Sequence, residues 1–471
     1  MAANFLHGVE TIELNTGTRA IQVVKTAVIG LIGIAPMGAI NTPILVNSDK
    51  DAAQFGGKIP GFSIPQSLDA IFKQGAGTVI VVNVFDEAKH TSTITDEVQI
   101  VKDGMLKLAK APIGVVTIKD EAGATVAFAK GVDYLLDAFG NFTVISSAIA
   151  NDTPLKFTYK HLDESKVLAG DIIGQIQPIT ENRSGLKCLD LSFNLFGFNP
   201  KILIAPTFSD DNAVAVELIA AAEKYRAITY LDAPYATTVQ GAIEGRGVNG
   251  GINFNTSSKR AELLFPMLKT YNEQTNETIL FPYSAFLAGV RAFVDNTEGY
   301  WVSSSNHEIK GITGVERDID AGLSDVSSEA NLLNEKGITT VFNTFGTGIR
   351  TWGNRSSSWP TNTAPDNFLS VRRTADVINE SVELACLQFI DQPITQGWID
   401  SVRETVNAFL RTLQGRGAIL DGVCKYNPDD NQPADLANGH INFYIDFMPP
   451  TPAERITFNS FINIEYLANL K

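Results

Sequence analysis

The chain is short of the residues that most catalytic and metal sites use. Its 471 residues include three cysteines and five histidines. The cysteines, at 188, 386 and 424, show no CxxC spacing and are too few for a disulfide framework, which favours a reducing folding compartment. No HExxH motif and no GxSxG motif occurs. We therefore predict no catalytic residue, no metal site and no cofactor.

Positive charge and long apolar runs are also scarce. Fifty-two acidic and 37 basic residues give a formal charge of −15, which argues against direct nucleic-acid binding, since phosphate contacts need a basic surface. The longest apolar run, 27–40, is interrupted by Pro36 and is too short to span a bilayer. The first residues lack a basic segment followed by an apolar one, so we expect neither a secretory signal nor membrane insertion.

Two stretches of the chain have the pattern of β-α-β units. Residues 27–34 form a continuous apolar run of the kind buried in parallel sheets, and a predicted helix at 66–74 and strand at 78–85 follow it. The same order returns with a strand at 201–206, a helix at 211–225 and a strand at 227–234. Both stretches therefore indicate an α/β domain.

The segment between these units reads differently. From about 95 to 180, short strands alternate with turns rich in Gly, Asp and Asn. We predict one α/β domain, 25–92 and 186–345, split by an inserted β-domain of sandwich or barrel type at 93–185. The predicted fold class is thus α/β and α+β with several domains.

The C-terminal third contains two amphipathic helices. One apolar stripe consists of Ile378, Val382, Ala385 and Phe389, and the other of Ile399, Val402, Val406, Phe409 and Leu413. We expect this helix pair, 374–414, to cover one side of a small sheet in a C-terminal α+β domain, 346–452.

The last thirty residues contain two segments with strand periodicity. The first alternates Ile441, Phe443, Ile445 and Phe447 with polar residues, and the second places Ile456, Phe458, Ile462, Ile464 and Tyr466 on one face. Prolines at 449, 450 and 452 end the first strand and disfavour a tight hairpin. An apolar terminal strand needs a partner, so it either folds back or joins a neighbouring subunit's sheet.

An enzyme hypothesis has two weak supports. Asp232 ends a predicted strand, where α/β folds place ligands, but Pro234 follows and favours a side-chain cap of that turn. Residues Gly245–Gly250 fit GxGxxG, yet they neither follow a clear strand nor open a helix. An α/β enzyme using either feature is the second hypothesis.

Several segments resemble the tail sheath proteins of contractile-tailed phages and related contractile particles. They occur in family order and cover nearly the whole chain outside the predicted insert: AVIGLIGIAPMGAINTPILV with AAQFGG (27–57), SLDAIFKQGAGTVIVVNV (67–84), PKILIAPTFSD (200–210), YRAITYLDAP (225–234), SSNHEIKGITGV (304–315), LNEKGITTVFNTFGTGIRTWGNRSSS (333–358), FLSVRRTADVINESV (368–382) and PAERI (452–456). The resemblance implies a non-enzymatic structural subunit. A tail tube or baseplate component is the third hypothesis.

The resemblance also implies how such a subunit assembles. Six-membered rings of identical subunits would stack helically around a tail tube, in contact with baseplate and tail terminator proteins. Contraction of the stack would drive the tube through the target envelope. The particle tail would be assembled in the cytoplasm of a bacterial host.

Specific residues take roles under this resemblance. The N-terminal arm, 1–24, would contribute Val9, Ile12 and Leu14, and the C-terminal arm, 453–471, would contribute Ile456, Phe458, Ile462, Ile464 and Tyr466. The receiving strands would be 418–426 and 441–448, the second with Ile441, Phe443, Ile445 and Phe447. The basic residues nearest the predicted tube-facing helix pair are Arg372, Arg373, Arg403 and Arg411.

Overall fold

The strands of the chain form five separate sheets within the described residues. The computed structural model describes residues 20–75, 77–126, 128–252, 254–344 and 346–469. The predicted arm residues Val9, Ile12 and Leu14 lie outside these ranges. The strands are β1 Val28–Gly33, β2 Ile44–Val46, β3 Thr78–Asn83, β4 Thr91–Ile100, β5 Met105–Lys107, β6 Ile113–Lys119, β7 Tyr134–Leu136, β8 Asn141–Val144, β9 Pro154–Leu162, β10 Ile202–Ile204, β11 Ile228–Asp232, β12 Ala261–Leu264, β13 Leu268–Asn272, β14 Glu277–Phe281, β15 Gly314–Val315, β16 Ile338–Thr344, β17 Gly348–Trp352, β18 Asp421–Lys425 and β19 Tyr444–Met448.

Eleven α-helices lie among the described residues. In chain order they are α1 Asp49–Ala52, α2 Ser63–Phe72, α3 Ala169–Ile173, α4 Ser192–Phe196, α5 Asn212–Tyr225, α6 Val239–Glu244, α7 Tyr283–Thr297, α8 Glu329–Glu335, α9 Leu369–Cys386, α10 Gln396–Gly415 and α11 Pro433–Ala437. No helix within the described ranges is both long enough and apolar enough to cross a membrane.

The largest sheet has eight strands in the order β17-β16-β12-β11-β10-β1-β3-β2. The six inner strands are parallel, and the outer strands β2 and β17 are antiparallel. Every residue of β1 is buried because helices cover both faces: α2 and α7 contribute to one core, and α5 and α8 to the other. The two predicted β-α-β units are β1-α2-β3 and β10-α5-β11, as expected.

The segment between β3 and β10 folds into two small antiparallel sheets. Their orders are β4-β9-β6 and β5-β8-β7, and they share a core that includes Phe142, Phe157 and Tyr159. Because the segment builds its own core between two strands of the large sheet, its arrangement fits an inserted β-domain. The positions at which one domain ends and another begins remain a prediction.

The C-terminal third contains the predicted helix pair and a two-stranded sheet. The apolar stripe of α10 is buried: Ile399, Val402, Val406, Phe409 and Leu413. It shares a core with Ile378 of α9 and with half-buried side chains of β19. The helix α9 begins at Leu369, five residues before the predicted start.

The first predicted terminal strand is shorter than expected, and the second is not formed within the described residues. The first begins at Tyr444 rather than Ile441. Residues 456–463 pair with no strand in the described part of the chain, and Ile464–Asn469 form a 3-10 helix. The strand prediction is therefore wrong for Ile464 and Tyr466 in the single chain, because an extended segment without a partner gains no ladder hydrogen bonds to hold it straight.

Candidate functional site

The C-terminal arm carries an unusual concentration of exposed apolar side chains. Phe458 is 88% exposed and Ile462 is 99% exposed. Five more large apolar side chains in the same segment are also exposed: Ile456, Phe461, Ile464, Tyr466 and Leu467. Soluble chains rarely leave a contiguous apolar surface of this kind in water unless it meets a partner.

A small sheet formed by β18 and β19 lies in the same part of the chain. The strands are antiparallel, with Val423 opposite Asp446 and Cys424 opposite Ile445. Phe443, Ile445 and Phe447 are half-buried against the core beneath α10, as the alternation of the sequence predicts. A two-stranded sheet is marginal by itself, so its packing on α10 supplies much of its stability.

The two outer edges of this sheet differ. The side chain of Asn407, on α10, lies against β18: the Cys424 backbone N–H donates to Asn407 Oδ1 at 2.7 Å, and Asn407 Nδ2 donates to the Cys424 carbonyl at 3.3 Å. One amide side chain thus takes the place of a neighbouring strand. β19 pairs with β18 alone among the strands of the described residues, so its other edge is open.

The burial of Arg373 contradicts its prediction as a tube-facing residue. Its side chain is buried, it pairs with Asp295 of α7, and it donates to the Thr26 carbonyl at 3.2 Å. Arg372 is also occupied inside the chain, with its guanidinium 2.9 Å from Asp376. Arg373 therefore fastens α9 to the α/β body, whereas the pair of Arg372 with Asp376 lies within α9 itself.

The other two predicted tube-facing arginines are exposed. Arg403 lies 3.0 Å from Asp400, and Arg411 lies 2.5 Å from Glu404. All four side chains belong to the outward face of α10. Because these pairs are solvated and of opposite sign, they present a mixed polar face rather than a basic patch.

A row of acids on α9 joins the helix pair to the large sheet. Asp376 pairs with buried Arg260, Glu380 pairs with Lys201, and Glu383 makes two hydrogen bonds to Arg226. Burial lowers the pKa of the Lys201 ammonium. The sequence analysis missed this contact surface. The signal that could have shown it is the spacing of 376, 380 and 383, which places three carboxylates on one helix face.

Asp232 serves as a structural cap. Its carboxylate accepts the Ser284 backbone N–H at 2.8 Å and the Ser209 hydroxyl at 2.8 Å. Capping was expected, but the carboxylate caps the first turn of α7 and not its own turn. Burial raises the pKa of Asp232 to about 6. With both oxygens bonded inside the chain, it presents no free carboxylate to a reactant.

The Gly245–Gly250 loop also has a structural role. It follows α6 and does not open a helix, so it lacks the geometry that cradles a phosphate. Its Arg246 donates four hydrogen bonds of 2.6–2.8 Å to backbone carbonyls. The acceptors are the carbonyls of Phe254, Thr256, Ser357 and Trp359. Arg246 therefore holds two loops together, a role that the sequence analysis missed and that no local pattern indicates.

One cavity lies where a ligand of an α/β enzyme would bind. It measures about 560 Å³ and opens at the carboxyl ends of β1 and β10, beside Ile34, Phe208 and Asp210. Its described lining contains no histidine, cysteine or lysine. Within the described ranges, no group of three acidic, histidine or cysteine side chains could hold a metal ion. The acids among its lining residues are Glu164, Asp210 and Asp211, and none of them has a histidine, cysteine or lysine of the lining beside it.

Comparisons with known proteins agree on one family. A family model described as phage tail sheath protein central domain matches residues 181–357, and one described as phage tail sheath C-terminal domain matches residues 362–463. The tail sheath protein of Burkholderia phage BcepMu is 48% identical over 100% of this chain and 99% of its own length. A putative prophage major tail sheath protein of Pseudomonas aeruginosa (strain UCBPP-PA14) is 28% identical over 99% of both chains.

A solved structure shares the fold. The sheath complex of an extracellular contractile injection system in its contracted state matches with a TM-score of 0.61, covering 99% of this chain and 100% of that one. The sequence identity of this pair is 15%, so the likeness concerns the fold alone.

Proposed function

The chain belongs to the phage tail sheath family, and from this premise we propose that its copies join through exchanged terminal strands into hexameric rings stacked around a tail tube. The protein is a structural subunit of a tail sheath, and the sheath contracts. It is not an enzyme. Contraction of the stack would drive the enclosed tube through the envelope of the target cell.

The observation that carries this proposal is the exposed apolar face of the C-terminal arm. Phe458 and Ile462 stay exposed among the described residues of their own chain, and an apolar residue gains roughly 1.5–3 kcal/mol when a partner covers it fully. The arm has the strand periodicity that pairing with a sheet edge requires. Assembly would therefore complete the fold of each subunit.

The receiving strand in this proposal is β19, with Ile445 and Phe447 in the paired region and Ile441 and Phe443 leading into it. The Asn407 side chain covers part of the β18 edge, which favours the other edge for an incoming strand. Each added backbone hydrogen bond would contribute roughly 0.5–1.5 kcal/mol. The N-terminal arm, with Val9, Ile12 and Leu14, is proposed as a second exchanged strand.

The helix pair is proposed to face the tube. Arg403 and Arg411 remain candidates for that contact because their side chains are exposed. The inserted β-domain, 93–185, would then lie on the outer surface of the sheath. Baseplate and tail terminator proteins are proposed as further partners, and the host cytoplasm as the place of assembly.

Removal of the arm tests the proposal directly. We expect a chain that ends at Arg455 to keep its melting temperature within a few degrees, because the removed side chains are exposed, and to form no sheath-length tubes in negative-stain micrographs. A full-length control with Val115→Asp and Val132→Asp alters exposed apolar residues elsewhere and should form normal tubes. Tubes of normal length from the truncated chain would contradict the strand-exchange proposal.

A further inference from the structure

Two segments about a hundred residues apart meet at an ion pair. Arg355 of NRSSS (354–358) faces Glu454 of PAERI (452–456). Its Nε lies 2.9 Å from one carboxylate oxygen of Glu454 and 3.2 Å from the other, and a second guanidinium nitrogen also bonds the carboxylate. A fork that contacts both oxygens fixes the direction of the carboxylate as well as its distance.

The guanidinium is held in place by its own surroundings. It stacks between two aromatic rings, 3.8 Å from the centre of Trp359 and 4.2 Å from that of Phe368. A third nitrogen donates to Asn367 Oδ1 at 2.7 Å. Stacking on both faces restricts the rotation of the side chain, so Arg355 offers its remaining edge to Glu454 in a fixed orientation.

The loop that bears Arg355 is also anchored. The Ser356 backbone N–H donates to the Asn367 carbonyl at 2.8 Å. Arg246 binds the carbonyls of Ser357 and Trp359 at 2.7 and 2.8 Å. The arginine therefore connects the beginning of the C-terminal arm to a rigid part of the chain.

The Pro-rich segment is consequently held at both ends. At its start, the Leu420 N–H donates to the Met448 carbonyl at 2.8 Å, and Pro449 is buried. At its end, the Glu454 carboxylate pairs with the Arg355 guanidinium. The sequence had suggested that the chain leaves its domain at 449–452, but these contacts keep the segment on the surface as far as Glu454.

We propose that Arg355 is the positioning residue of the C-terminal arm, and that the free part of the arm begins at Arg455. Seventeen residues, 455–471, then define the reach of the arm, roughly 60 Å when fully extended. A pivot at Pro449 would allow roughly 80 Å. We call the contact between Arg355 and Glu454 the clamp. It limits which neighbouring sheets the arm can reach. This consequence rests on the proposed strand exchange, whereas the clamp itself belongs to the single chain.

Trypsin cleavage after Arg455 tests the clamp on dilute, unassembled full-length protein. A protease must draw several residues before the cleaved bond into its cleft, so the bound Glu454 should slow the cut. We expect Glu454→Gln and Arg355→Lys each to speed cleavage about threefold to tenfold, since the pair is partly solvated. Glu465→Gln removes the same charge from the same arm without touching the clamp and should leave the rate unchanged.

Two controls separate release of the clamp from other causes of faster cleavage. Short peptides spanning 449–460, with Glu or Gln at 454, give the ratio of trypsin cleavage rates that the substitution causes by itself. Only an increase in the cleavage rate of the protein beyond this ratio is attributed to release of the clamp. Melting temperatures separate a released clamp from a loosened fold. The clamp proposal is contradicted if the corrected cleavage rates match that of the wild type. It is also contradicted if cleavage is faster only in variants with a lowered melting temperature. Because assembly is not measured, this failure is distinct from a failure of strand exchange.

Discussion

Strand β1 and the C-terminal arm are built from similar residues and lie in opposite environments. All six residues of β1 are buried between two parallel neighbours and two helix layers, whereas Phe458 and Ile462 of the arm lie in water. The difference is the supply of partners and not the apolar content. The chain provides the neighbours of β1, whereas no strand of the described residues pairs with the arm. An apolar strand thus indicates burial, but the pattern leaves open whether the partner belongs to the same chain.

The first prediction tests the comparison by truncating one apolar side chain in each region. Leu31→Ala in β1 should lower the free energy of unfolding by about 3 kcal/mol, because the leucine is fully buried and the substitution leaves a cavity. Ile462→Ala in the arm should change it by less than about 0.5 kcal/mol. Urea unfolding of unassembled protein measures both. Similar losses in the two variants would show that the arm is packed in the free subunit.

The second prediction concerns a buried acid of the large sheet. Burial raises the pKa of Glu262 to about 8 from an ordinary value of 4.5. Between these values the folded chain holds a proton that the unfolded chain has lost, so stability is lost as the pH rises through this window. We expect the free energy of unfolding to fall by about 2 kcal/mol between pH 5.5 and 7.5.

Urea unfolding across that pH range, with Glu262→Gln alongside, isolates the contribution of this acid. The amide cannot ionise, so the variant should lose most of the decrease. The exposed Glu465 of the arm provides the contrast, and Glu465→Gln should leave the pH dependence as it is. A decrease of equal size in Glu262→Gln would mean that other groups cause it.

The third prediction has the smallest expected effect and concerns the β18 edge, which the Asn407 side chain covers. Asn407→Ala removes both hydrogen bonds to Cys424 and should lower the free energy of unfolding by about 1 kcal/mol. Ser401→Ala, on the exposed face of the same helix, is the matched control and should have a smaller effect. If Asn407→Ala unfolds at the wild-type urea concentration, the amide contributes nothing to holding the β18 edge.

Sequence reasoning succeeded where periodicity determines burial. The apolar run at 27–34, the α10 stripe and the alternation of Phe443, Ile445 and Phe447 all have the expected environments. It failed for a charged residue: Arg373 was expected at a tube surface, and its side chain is buried against Asp295. The helix pattern around Arg373 does not separate an internal ion pair from a free surface, because its partner Asp295 lies 78 residues away in the sequence.

The sequence by itself determined the apolar strands, the helix stripes and, through the resemblance, the family. Only the tertiary structure decided that Asp232 caps α7, that Asn407 covers the edge of β18 and that Arg355 holds Glu454. Hydrophobic patterns are local, since a period of two or 3.6 residues can be read within one element. Hydrogen bonds and ion pairs between distant segments depend on which side chains the fold brings within about 3 Å, and that distance exists only in the folded chain.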